Sequence, residues 1–205
     1  MKLYSSIGPN PHVVRMFIAE KGLQIPVQSV DLRGGENRRE PYVSTVNSRG
    51  QLPALELDDG TVLCEITAIC EYLDEKHPNP PLIGSTAEER AETRMWTRRV
   101  DLYFNEPMAT AFRASEGRPM FESRMRLVSA EAAVDLKAIA QDALTWLDGE
   151  IAGKTWLCGT RFTMADILLY GFVSFGAMVR QPLSPEHKHL QAWFERVQAR
   201  ESAKA

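Results

Sequence analysis

Asn47-Ser-Arg-Gly50-Gln-Leu-Pro53-Ala-Leu-Glu-Leu-Asp-Asp-Gly60-Thr-Val-Leu-Cys-Glu65-Ile-Thr-Ala-Ile-Cys70-Glu-Tyr-Leu73 decides the fold. Leu55, Leu57, Val62 and Leu63 form two short apolar runs around Asp59-Gly60. That pattern predicts a hairpin, because glycine accepts the positive φ of a tight turn. After the second strand, Ile66, Ile69 and Leu73 are spaced three and four apart, which predicts a helix opening at Glu65-Ile66-Thr67. The first amides of such a helix have no partner inside it. With the positive end of the helix dipole, they make an anion site beside a proline turn.

Upstream, Lys2 to Ser5 reads as a strand, and Ser6-Ile-Gly-Pro-Asn-Pro11 as a turn-rich loop. A helix is expected from about Pro11, with Val13, Val14, Phe17 and Ile18 as its apolar stripe and Gly22 as its stop. Val27 to Leu32 reads as a second strand, and Pro41 to Val46 as a short helix or turn. Strand–helix–strand implies a parallel pair, and strand–strand–helix an antiparallel hairpin. Together they predict an α/β domain with a mixed four-stranded sheet over residues 1–78.

Downstream, His77-Pro-Asn-Pro-Pro81-Leu-Ile-Gly cannot continue a helix, so residues 79–87 are the expected linker. Residues 88–205 carry only helical patterns and predict an all-α domain. One helix is expected from Ala87 to about Ala114, kinked at Glu106-Pro107. A long helical region is expected from Pro119 to Ile151, with Leu136, Ile139, Ala140, Ala143, Leu144 and Leu147 inward. Thr163 and Asp166 have the spacing of a capping box. The helix they open, Ile167 to Val179, is apolar all round and predicts a buried central element. A last helix is expected from Pro185 to Arg200.

Composition sets the outer bounds. The chain has 205 residues, 44% hydrophobic and 25% charged, as an ordinary globular protein has. A net charge of −3 argues against a nucleic-acid or anionic-membrane partner. No apolar run is long enough to span a bilayer, and the N-terminus reads as a strand rather than a signal peptide. Cys64, Cys70 and Cys158 are odd in number, sit in apolar contexts and lack metal-ligand spacing, so a reduced, cytoplasmic, metal-free protein is expected.

Three motifs in order resemble the cytosolic glutathione S-transferases. Ala19-Glu-Lys-Gly22 resembles the end of that family's first helix, and Asn47-x-x-Gly50-Gln51-Leu52-Pro53 through Glu65-x-x-Ala68-Ile69-x-x-Tyr72-Leu73 its glutathione site. Trp156-Leu-Cys-Gly-x-Arg-Phe-Thr-x-Ala-Asp166 resembles its C-terminal folding motif. The resemblance implies a thioredoxin-like domain followed by an all-α domain, a homodimer, and glutathione as co-substrate. By the same resemblance Pro53 is a cis-proline and Leu52 pairs its backbone with the cysteinyl part of glutathione. Gln51, Glu65 and the amide of Ile66 hold the γ-glutamyl end, and Arg38 or Arg39 the glycine carboxylate.

The sulfur-activating position departs from the common pattern. Aligned on Glu20-Lys21-Gly22, the family's catalytic serine falls on Gly8, and no cysteine lies nearby. Glu-x-Thr-Ala-Ile resembles an atypical bacterial and fungal branch without the usual catalytic Ser, Tyr or Cys. The nucleophile in such chemistry is the thiolate, and a free thiol titrates near about 8.5. One or two hydrogen bonds and a helix N-terminus suffice to lower it by a unit or two. Ser6 and Asn10 are the expected donors. A small hydrophobic electrophile is expected near Trp96, Tyr103, Phe104, Met108 or Phe112. The alternatives are a non-catalytic protein of the same fold that binds a protein partner, and a glutathione-dependent peroxidase or isomerase.

Overall fold

The computed structural model describes residues 1–205. The chain divides into two compact units, Met1–Leu82 with Glu201–Ala205, and Ile83–Arg200. The last five residues thus cluster with the first unit, where the sequence placed them with the helices.

The first unit carries β1 (Lys2–Ser5), α1 (Pro9–Glu20), β2 (Val27–Ser29), α2 (Tyr42–Thr45), β3 (Ala54–Glu56), β4 (Val62–Cys64) and α3 (Ile66–Lys76). The sheet order is β2-β1-β3-β4. β1 and β2 run parallel, while β1–β3 and β3–β4 are antiparallel. This is the mixed four-stranded sheet that the pattern predicts. β2 is shorter than expected, and the hairpin connection spans residues 57–61 with Gly60 at φ 86°.

Side chains alternate across the sheet. Tyr4 and Ala54, directly opposed, join Val30, Tyr42 and Leu52 in one apolar cluster. Leu3 and Leu55 sit one residue along and therefore face the other side, both completely buried. α1 packs on α3. The fully buried Lys21 side chain locks their ends together: its Nζ pairs with Asp74 and donates to the carbonyl of His77 at 2.8 Å and to that of Pro80. Asp74 Oδ1 in turn accepts from Leu82 N at 2.9 Å. The C-terminal turn Glu201–Lys204 lies on α1, where Ser202 meets Glu20 and the His12 ring is 3.2 Å from the Ala203 carbonyl.

The second unit is all helix: α4 (Ala87–Val100), α5 (Glu106–Ala114), α6 (Arg118–Phe121), α7 (Ala130–Ile151), α8 (Met164–Met178) and α9 (Lys188–Gln198). The kink expected at Pro107 is instead a π-helical turn over Asp101–Asn105, closed by the Glu106 amide on the Asp101 carbonyl. Pro107 has no N–H for the Tyr103 carbonyl, so the helix widens ahead of it. The single long region from Pro119 is also corrected. Ser129 accepts from the Ala132 amide at 3.2 Å and starts α7 afresh. On α7, Ala140, Ala143, Leu144 and Leu147 are buried as expected, but Ile139 is exposed.

α8 is buried from Met164 through Val173, against α4 and α9. Its capping box is formed as predicted, with the Thr163 amide on Asp166 at 3.0 Å. Asp166 also accepts from Leu157 N and from Trp193 Nε1, each at 3.0 Å. Burial pushes this carboxyl up to about 6, against the pull of those donors. No helix is long and apolar enough to cross a membrane.

Candidate functional site

The Gly50–Pro53 turn is built from outside itself. The Arg49, Gly50 and Gln51 carbonyls each accept from a side chain of the 37–47 segment. Arg38 Nη1 donates to Arg49 O at 3.0 Å, and Asn37 Nδ2 to Gly50 O at 2.6 Å. Tyr42 OH donates to Gln51 O at 2.7 Å, with Asn47 Nδ2 at 3.2 Å from the same oxygen. Burial raises the Tyr42 hydroxyl well above its ordinary range, so it stays a donor. Gly50 is required twice: its φ is 60°, and a Cβ there would lie 2.6 Å from the Asn37 carbonyl oxygen.

The turn ends in a cis bond between Leu52 and Pro53. The registers of β3 with β1 and β4 stop at Ala54, so Leu52 forms no rung of either ladder. Its backbone is an edge to which an extended peptide can add.

Glu65 follows β4 and caps α3 with φ 71° and ψ 128°. A non-glycine residue held there costs of order 1–3 kcal/mol and is kept only where the surroundings enforce it. Such strain is a mark of ligand sites. The conformation leaves the carboxylate exposed beside the first α3 amides, which begin their helical bonding at Ile69 N on Glu65 O. Because β3 and β4 pair Ala54 with Cys64, the exposed Gln51, the buried Leu52 and Pro53, Glu65 and the half-buried Ile66 lie at one end of the sheet.

Arg38 and Arg39 are exposed, with guanidinium groups bonded to loop carbonyls, Arg38 to Arg49 and Arg39 to Gly34. The sequence signalled Asn47 through its motif. It gave no sign of Asn37 or Tyr42, whose importance rests on contacts nine to thirteen residues away.

The β1–α1 loop is different. α1 starts at Pro9, two residues before the expected point, after Gly8 at φ 112°. Pro9 and Pro11 carry no N–H, and the His12 amide bonds the Gly8 carbonyl at 3.3 Å. Only the Asn10 amide is left to face the loop. Ser6 Oγ donates to the Val30 carbonyl at 2.7 Å. A hydroxyl has one proton, so in this conformation Ser6 accepts but does not donate toward the loop. Asn10 sits on the first turn of α1, half-buried.

In the second unit the five expected pocket residues separate. Trp96 stacks on Trp146 at 5.9 Å, and Tyr103 meets Trp146 edge-on at 5.8 Å. Phe112 packs on Phe121 at 5.9 Å and Phe175 at 5.0 Å. Phe104 and Met108 are completely buried. No group of three or more His, Cys, Asp or Glu is placed to hold a metal ion.

Comparison with known proteins agrees with this geometry. The N-terminal domain family of glutathione S-transferases matches residues 7–76, and the C-terminal domain family residues 119–201. The chain is 32% identical to glutathione S-transferase 2 of Saccharomyces cerevisiae over 96% of its own length and 84% of the relative's. The crystal structure of Gtt2 from the same yeast superposes with a TM-score of 0.92 at 30% identity, covering 100% of this chain and 99% of that one. A class Gtt2 glutathione S-transferase of Vibrio parahaemolyticus superposes with a TM-score of 0.85 at 30% identity, covering 100% and 96%. A mixed sheet ending in a braced cis-proline turn, an all-helical unit and matches over nearly the whole length leave one assignment: the chain belongs to the glutathione S-transferase family.

Proposed function

We propose that the protein is a glutathione transferase of the branch without a catalytic Ser, Tyr or Cys, joining the glutathione sulfur to small hydrophobic electrophiles. The carrying observation is the unladdered Leu52 edge before cis-Pro53, set beside the strained Glu65 at the start of α3. Leu52 takes the cysteinyl backbone as an added strand. Glu65 and the Ile66 amide hold the γ-glutamyl ammonium and carboxylate, with Gln51 beside them. Arg38 faces the glycine carboxylate, with Arg39 next to it.

In the reaction the S–H bond breaks, the electron pair stays on sulfur and the proton leaves to water. The thiolate then attacks the electrophilic carbon, and the leaving group departs with its bonding pair. Asn10, by its amide and side chain, is the donor to the developing charge; Ser6 joins only by releasing Val30. The active protein is a homodimer, as the family resemblance implies, and works in the cytoplasm, a placement that its three free cysteines support.

Titration with glutathione, followed by tryptophan fluorescence and calorimetry, tests the site, with saturable binding below about 1 mM expected, near −4 kcal/mol or tighter. Conjugation to a chromogenic chloronitrobenzene tests the chemistry. Absence of binding at millimolar glutathione removes the proposal. Binding without conjugation favours the non-catalytic alternative.

A further inference from the structure

The β1–α1 loop has few hydrogen-bond donors, but it has a charge. Arg15, on α1, reaches back along the helix, and its Nη1 donates to Ser5 Oγ at 2.9 Å and to the Ser6 carbonyl at 3.0 Å. The side chain is half-buried, and burial pulls its pKa down from the ordinary guanidinium range. Arginine keeps its proton all the same.

No carboxylate meets this guanidinium. The other charged groups on or next to α1 are engaged elsewhere: Glu20, its last residue, with Ser202, and Lys21, just past its end, with Asp74 of α3. His12 lies against the C-terminal turn and is held below its usual range by burial, with the Arg15 charge adding to the effect. A half-buried cation without a counter-ion is uncommon, because its desolvation goes uncompensated. It is accounted for if an anion arrives.

β1 and β3 pair antiparallel as Lys2↔Glu56, Leu3↔Leu55 and Tyr4↔Ala54, and the ladder ends there. Ser6, which follows β1, and Leu52, which precedes β3, thus lie at the same end of the sheet. On the reading proposed above, a cysteinyl residue bound along Leu52 comes to the end where Arg15 holds the Ser5–Ser6 backbone.

We propose that Arg15 is the fixed positive charge that keeps the bound glutathione sulfur ionised, acting across the Ser5–Ser6 backbone rather than by contact. It is a positioning and electrostatic residue for the proposed reaction, and its role rests on that reading. The S–H proton goes to solvent and the electron pair remains on sulfur. The charge stabilises the ionised form only, so it lowers the thiol pKa without adding to the affinity for neutral glutathione. An opposite charge a few ångströms away typically moves a pKa by one unit or more.

The test is the ultraviolet thiolate absorbance of the full-length protein saturated with glutathione, followed against pH. Arg15→Gln is expected to raise the pKa of the bound thiol by about one unit, and to lower kcat/KM about tenfold below that pKa. Glutathione Kd at low pH stays within about threefold. Arg15→Lys keeps the charge and is expected to stay within about half a unit of wild type. A folded Arg15→Gln protein with an unchanged thiol pKa overturns the proposal. So does Arg15→Lys if its pKa rises by a full unit, since that outcome assigns the effect to the hydrogen bonds and not to the charge. This second arm stands even if Arg15→Gln fails to fold. Wild-type protein that binds no glutathione overturns the transferase reading and this role together, whereas binding with an Arg15-independent pKa overturns this role alone.

Discussion

The two ends of the candidate site are built by opposite means. At the peptide end, three consecutive carbonyls from Arg49 to Gln51 are each held by a side chain, so the Leu52 edge is fixed before any ligand arrives. At the sulfur end, two prolines remove amides from the α1 start, Ser6 is turned to Val30, and what remains is one amide and a nearby cation. The difference teaches a division of labour. Recognition of an extended peptide needs geometry, and bracing supplies it. Stabilisation of a thiolate needs only a field of the right sign, which tolerates a looser frame.

Removing the frame should have the largest effect. Gly50→Ala adds a Cβ 2.6 Å from a backbone oxygen at a position of φ 60°. A loss of about 3 kcal/mol is expected, which is about 6–12 °C in Tm for a protein of this size, together with loss of glutathione binding. A thermal scan with normal Tm would show that the turn is not rigid and that the comparison is wrong. Glu65→Ala comes next. It removes a charge-assisted contact of about 1.5–3 kcal/mol, so glutathione Kd should rise about tenfold to a hundredfold. The strained φ at Glu65 adds a sharper arm. Glu65→Gly relieves it and should leave Tm equal or higher while binding is lost equally, as measured by calorimetry side by side.

Much of this was legible in the chain and some was not. The Asp59-Gly60 turn, the apolar runs around it and the Ile66–Leu73 spacing give the hairpin and α3 because each depends on neighbours within a few residues. Thr163 and Asp166 give the α8 cap for the same reason. The strain at Glu65 was hidden, since nothing local marks a glutamate for positive φ. Asn37 and Tyr42 were hidden because their partners lie across a loop, and Arg15 because a helical arginine reads as a solvated charge until its hydrogen bonds are seen. The full burial of Phe104 was hidden because an apolar helix residue near a proline carries no sign of which face it takes.

Tyr42→Phe tests the bracing more gently. It removes one hydroxyl and leaves Gln51 O with Asn47 alone at 3.2 Å. The expected cost is about 1 kcal/mol. KM for glutathione should rise about fivefold with kcat nearly unchanged, because the group holds the binding edge and not the sulfur. A fall in kcat at constant KM would tie Tyr42 to the chemistry instead and dissolve the division between the two ends.

Ser6→Ala should do least, and for that reason it discriminates best at the sulfur end. With the hydroxyl proton on Val30 O at 2.7 Å, its removal costs one internal hydrogen bond, about 1 kcal/mol of stability. The bound thiol pKa should stay within about 0.3 units, since no donor to sulfur is lost. If it rises by a unit, Ser6 must turn from Val30 to the sulfur when glutathione binds, and the loop is then a switched donor rather than a fixed field. The same titration on Asn10→Ala separates the two candidates: a rise there with none at Ser6 leaves the α1 start, with Arg15 behind it, as the source of the sulfur's stabilisation.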